Sequence, residues 1–208
     1  MSNASYSPLC TISALPASLQ RAFRTEDQAD QFIAGRIRFG LLQRYRKMEG
    51  YRGDESEGRA LIRWNLQAEN PALCNVTYGG TSLDLYYALC TSHPAVCKCH
   101  MNKFGTSLVR IDDPLELLER ICEAWNIDNR ASGSAFVIPV IYNKGELVDP
   151  PPYLIAPFNL AYAQKSRDPY SLDREYRYIV ACKVGTKEDD SLTLDVGCCS
   201  DICTLVRT

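Results

Sequence analysis

Tyr170-Ser-Leu-Asp-Arg-Glu-Tyr-Arg-Tyr-Ile-Val180 is the stretch on which the fold turns. From Glu175 onward it is rich in aromatic and β-branched residues, and strand periodicity places Glu175, Arg177 and Ile179 on one face and Tyr176, Tyr178 and Val180 on the other. A carboxylate beside a guanidinium at the mouth of a buried strand is either an ordinary ion pair or an acid held by its orienting cation.

Working outward, further strand signals fall at Leu19–Phe23, at Ile37 and Phe39 alternating with Arg36 and Arg38, and at 75–78, 83–91 and 108–111. More follow at 135–142, predicted as a central strand, and at 192–196. Helices are expected where Thr25 precedes Glu26 and Asp27, with Ala29, Phe32 and Ile33 at helical spacing before Gly35, and where Asp113-Pro114 opens the run to Trp125. Leu41, Leu42 and Tyr45 suggest a further helical turn. The charged, glycine-containing segment 51–69 reads as a loop. Helices early and in the middle, with strands clustered late, imply a single α+β domain with a mixed, largely antiparallel sheet and a few flanking helices. It is expected over residues 18–208, behind an N-terminal extension at 1–17.

Composition narrows the function. The 208 residues carry a formal charge of −2, which removes the broad electrostatic attraction needed for non-specific binding to nucleic acid or anionic membranes. No apolar run is long enough to span a bilayer, and Met1 is followed by polar residues instead of an export signal. A cytoplasmic protein with mostly reduced thiols is therefore expected, although the chain has 10 cysteines. It has only 2 histidines, so imidazole chemistry must use His93 or His100.

Cys97-Lys-Cys-His100 places soft ligands close together, but one intervening residue in a strand directs the thiolates apart, and no metal site is expected. Cys90 and His93 are too close in sequence to form an automatic dyad, and no Gly-Lys-Ser/Thr or Gly-x-Gly-x-x-Gly phosphate loop is present. The loop Arg52-Gly-Asp-Glu-Ser-Glu57 is usually solvated surface; its functional reading is a gate in which Arg52, Asp54 and Glu57 meet a polar substrate.

Gly35-Arg-Ile-Arg-Phe39, Asp54-Glu-Ser-Glu57, Leu89-Cys-Thr-Ser92, Arg174-Glu-Tyr-Arg-Tyr178, Asp195-Val-Gly197 and Asp201-Ile202 together resemble a bacterial family of unknown function, over most of the chain from Leu19 to Ile202. More remotely, the order of strands is similar to the ADP-ribosyltransferase fold. That resemblance implies NAD as the bound substrate and Arg21, or Arg24 in its place, as the first-strand residue. It implies Ser92 on a middle strand and Glu175 as the late catalytic carboxylate; beside them Arg177 and Tyr176 are expected to bind NAD, the tyrosine by stacking on nicotinamide or adenine. It also implies a protein or nucleic-acid target and a toxin or phage-defence setting. The chemistry fits the residue types: a carboxylate stabilises the oxocarbenium-like centre formed when the nicotinamide–ribose bond breaks, and an arginine forks onto phosphate. The competing reading is a non-catalytic binding module of the same architecture.

Overall fold

The computed structural model describes residues 15–42, 44, 59–65, 75–81, 86–133, 135–143, 147–148, 164–183 and 191–206. The fold is α+β, with three α-helices and a largely antiparallel open sheet of eight strands among these residues. Within this single domain the backbone groups into two compact units.

The first unit holds β1 (Leu19–Phe23), α1 (Glu26–Ile33), β2 (Arg36–Leu41), β5 (Tyr86–Ser92), α2 (Lys98–Met101), β6 (Ser107–Ile111), α3 (Pro114–Asn126), β7 (Phe136–Pro139), β11 (Glu175–Ala181), β12 (Ser191–Asp195) and β13 (Cys203–Val206). Its strands form the large sheet, in which every pairing is antiparallel. The second unit holds β3 (Arg59–Asn65), β4 (Asn75–Thr81) and β9 (Leu147–Val148) in one small sheet, and a parallel pair of β8 (Ile141–Asn143) and β10 (Gln164–Ser166).

Local chemistry explains the helices. Thr25 caps α1 by accepting from the Gln28 amide at 3.3 Å, and Asp113 caps α3 by accepting from Leu115 at 3.2 Å and Glu116 at 3.0 Å, with Pro114 next. Leu117, Leu118, Ile121 and Trp125 form the buried stripe of α3. It packs with Phe32 of α1 onto one face of the sheet, where Leu19, Ile37, Phe39, Tyr87, Leu89, Val109 and Tyr178 complete the main core. The Tyr178 hydroxyl donates to the Pro114 carbonyl at 2.9 Å, which ties β11 to the first turn of α3. On the opposite face Val96, Met101 and Leu108 make a smaller cluster with Ala22, Phe104 and Val206.

Gly35 ends α1 at φ +92°, a left-handed conformation, and a Cβ there would meet the Gly197 carbonyl oxygen at 1.8 Å. The approach is used: the Val196 amide donates to Gly35 and the Cys199 amide to Ile33.

Strand β5 is the hub. One edge pairs with β11 from Tyr86 to Ser92, while the other is shared, β2 meeting Tyr87 and Ala88 and β1 meeting Ser92. Between them the Cys90 carbonyl accepts from the Arg21 guanidinium.

Two expectations change. Residues 59–65 are a strand, because the apolar run Ala60-Leu-Ile-Arg-Trp64 within that charged segment has strand character. The predicted strand over 135–142 is split into β7 and β8 around Val140. Pro139 has no amide hydrogen to continue a ladder, and β7 pairs only with β11 among the described residues, so it is not central. Residues 45–58, including Tyr45, lie outside the described residues. No helix of the described residues is long and apolar enough to cross a membrane.

Candidate functional site

Antiparallel partners point to the same face of a sheet. Tyr178 is opposite Leu89, and both lie in the main core. One step away, Arg177 faces Cys90 and, one further pair along, Glu175 faces Ser92. These side chains therefore lie on the other face of the sheet. Ser92 is also opposite Gln20 of β1. Gln20, Ser92 and Glu175 thus form a lateral row across three adjacent strands, at 7%, 6% and 6% exposure.

The row is built into a hydrogen-bonded end of the sheet. Gln20 Nε2 donates to the carbonyls of His93 at 3.1 Å and Val96 at 2.9 Å, fixing the turn that leaves β5. The His93 amide donates to the Arg174 carbonyl at 3.0 Å. Arg174 has φ +43°, a left-handed conformation uncommon in residues other than glycine. It is the single residue between the turn at Tyr170–Asp173 and the start of β11. The Arg177 guanidinium donates through Nε to Glu175 Oε1 at 2.7 Å, with the side chains 1% and 6% exposed. His100 Nε2 of α2 lies 2.7 Å from Asp173 Oδ1, and both residues are buried. Buried charges of this kind require partners, and the sheet end supplies them.

The sequence-predicted residues do not all converge. Ser92, Glu175 and Arg177 share a face. Tyr176 is on the opposite one, half-buried against the main core. Arg21 is also on that opposite face, alternating with Gln20 and aligned with Leu19 and Phe23. Its guanidinium is bonded to the Cys90 carbonyl and sits 5.3 Å from the Phe23 ring centroid. Arg24 is exposed beyond the end of β1. Arg52, Asp54 and Glu57 lie outside the described residues.

Sequence reasoning missed Gln20 and the His100–Asp173 pair. A polar residue between Leu19 and Arg21 in a short strand was the available signal for Gln20. Nothing local links His100 to Asp173, 73 positions away.

The cysteines also differ from expectation. Cys97 and Cys99 are joined in a disulfide, with Cα atoms 5.4 Å apart. The segment turns into α2, with Cys97 at its N-cap, instead of running as a strand, and this draws the two Cα atoms closer than the roughly 6.6 Å that separates alternate residues of a strand. The other six described cysteines, Cys90, Cys122, Cys182, Cys198, Cys199 and Cys203, are thiols. Cys199 is held down to about 7, first by a hydrogen bond from the Cys203 thiol and then by the charge of Arg120. The same bond and burial push Cys203 up. Among the described residues no group of three or more His, Cys, Asp or Glu side chains is placed to hold a metal ion.

The fold and site together define a largely antiparallel α+β protein with a buried polar row at one end of its large sheet. No protein-family model, curated protein or solved structure matches the chain.

Proposed function

We propose that the chain binds NAD and cleaves its nicotinamide–ribose bond, as an ADP-ribosyltransferase or an NAD glycohydrolase. One observation carries the reading: Ser92 and Glu175 are direct cross-strand partners on one face, in a row completed by Gln20. In this reading Glu175 stabilises positive charge developing at the ribose and Ser92 fixes a sugar hydroxyl. Arg177 holds the carboxylate oriented until the substrate's sugar replaces it as partner. The phosphate role expected of Arg21 is not part of the proposal, because its guanidinium lies on the other face. Arg52, Asp54 and Glu57 remain the proposed contacts to a protein or nucleic-acid target. The proposal keeps the likeness to the bacterial family with the Gly-x-x-x-Phe and Asp-x-x-Glu motifs, a cytoplasmic setting and a role in a toxin or in phage defence.

A second reading is favoured by the closed Glu175–Arg177 pair: a binding module that keeps the architecture without turnover. The test uses the full chain with NAD, alone and with cell lysate, following nicotinamide release by chromatography and thermal stabilisation by NAD. Catalysis predicts nicotinamide release that drops at least about 100-fold in Glu175→Gln. NAD stabilisation without release supports the module. Neither stabilisation nor release in any arm overturns the NAD reading.

A further inference from the structure

We propose that Cys97 and Cys99 form a reversible thiol–disulfide exchange site for an anionic, glutathione-type disulfide, and that its state is transmitted to the buried His100–Asp173 pair. The disulfide spans two positions, and residues 97 to 99 are exposed. So short a loop restricts the unfolded chain less than any longer cross-link, which leaves little structural purpose for the bond. Exposed disulfides are the ones that exchange, and with six described cysteines as thiols this bond is not part of a disulfide framework. Lys98, between the two sulfurs in sequence and exposed, favours an anionic partner.

The coupling follows from the backbone. The Cys97 carbonyl accepts from the His100 amide at 3.0 Å and from Met101 at 3.1 Å, so the residue carrying one sulfur also anchors the turn that carries His100. His100 reaches Asp173 at 2.7 Å, and Asp173 precedes Glu175 by two residues. Opening the disulfide removes the covalent restraint on that turn while leaving the His100–Asp173 contact in place to respond.

In the oxidising direction one thiolate attacks a sulfur of the external disulfide, forming a mixed disulfide and expelling one thiolate. The second cysteine, deprotonated, attacks the first sulfur and expels the other. The protein loses two electrons and two protons, the external disulfide gains both as two thiols, and one Cys97–Cys99 bond remains. Two monothiols, or one dithiol, reverse it.

The experiment equilibrates the full chain at neutral pH in glutathione buffers from fully reduced to fully oxidised, quenches with acid, and maps alkylation of the peptide holding Cys97 and Cys99. A single two-electron transition is expected, with Cys182, Cys199 and Cys203 remaining thiols throughout and Cys97→Ser trapping glutathione on Cys99. A peptide that stays fully alkylated in oxidised glutathione, or that stops as a mixed disulfide, overturns the exchange site. A second arm replaces glutathione with a thioredoxin-type dithiol protein. Reduction by that arm alone overturns the small-molecule assignment. Because the chain has 2 histidines, proton NMR resolves both imidazoles. The His100 resonances are expected to shift on reduction more than those of His93, and unmoved His100 resonances overturn the coupling. No readout involves NAD, so this proposal and the nucleotide reading fail separately.

Discussion

Arg177→Met is the most informative single change to the candidate site. It removes the cation from a pair whose side chains are 1% and 6% exposed and whose bond is 2.7 Å long, leaving the Glu175 carboxylate buried without it. Breaking such a pair from one side costs about 3–5 kcal/mol, against a total stability of about 5–15 kcal/mol for a typical domain. A chain of this length loses roughly 2–4 °C of melting temperature per kcal/mol, so a fall of roughly 6–20 °C is expected. Urea melts followed by tryptophan fluorescence, with Trp125 fully buried, measure the free-energy loss, and thermal melts followed by circular dichroism measure the fall in temperature. Glu175→Gln weakens the same 2.7 Å pair from its other side and should cost a similar amount. The double variant removes both charges and should lose at least about 1.5 kcal/mol less than the sum of the singles. A loss below about 1 kcal/mol for Arg177→Met, the range of a solvent-exposed ion pair, or additive single effects would refute the closed pair as the organiser of this sheet end.

Three further outcomes follow from the fold. Gly35→Ala places a Cβ against the Gly197 carbonyl in a left-handed conformation and should cost on the order of 2–3 kcal/mol in a urea melt; Gly133→Ala, at φ +79° with nothing within 4 Å, serves as the comparison and should lose about 1 kcal/mol. Asp113→Ala removes the acceptor for two amides at the start of α3 and should cost about 1 kcal/mol, with Asp113→Asn losing less. Asp128 is held below its ordinary range, first by the Arg130 hydrogen bond at 2.6 Å. Its folded-state value is lowered, so its contribution is fully present above the unfolded value and lost as pH falls below about 4. Asp128→Asn should flatten that limb of the stability–pH curve, and an unchanged limb in the variant would contradict the assignment.

How far the sequence could be read depended on the range of the interactions. Helices α1 and α3 were legible because Thr25 and Asp113 cap them within three residues and their apolar stripes repeat at helical spacing. The alternation of β11 was legible for the same reason, and it put Glu175 and Arg177 together before any partner strand was known. The identity of the other strand neighbours was not local. The alternation of Leu19–Phe23 could not say whether Gln20 or Arg21 shares a face with Ser92, because that depends on β1 meeting β5 from 72 positions away. The Cys97–Cys99 pairing was not legible for a local reason: in an extended segment alternate Cα atoms stand about 6.6 Å apart, and here the chain tightens into the first turn of α2. Pro139 was visible throughout, and a missing amide hydrogen was the signal that 135–142 could not remain one strand.

The large sheet imposes an order on its own completion. Its last three strands in sequence, β11, β12 and β13, pair with β5, β2 and β6 respectively, all made much earlier. During synthesis the first half of this sheet therefore emerges with edges on β2, β5 and β6 that nothing yet produced can cover, and long-range pairing of this kind closes slowly. A nascent chain stalled before Glu175 is a template for association with its neighbours. Chaperone demand should be set by the delay between the emergence of β6 and that of β11, and slowing translation across this interval should lower the yield of folded protein more than slowing it after Val206.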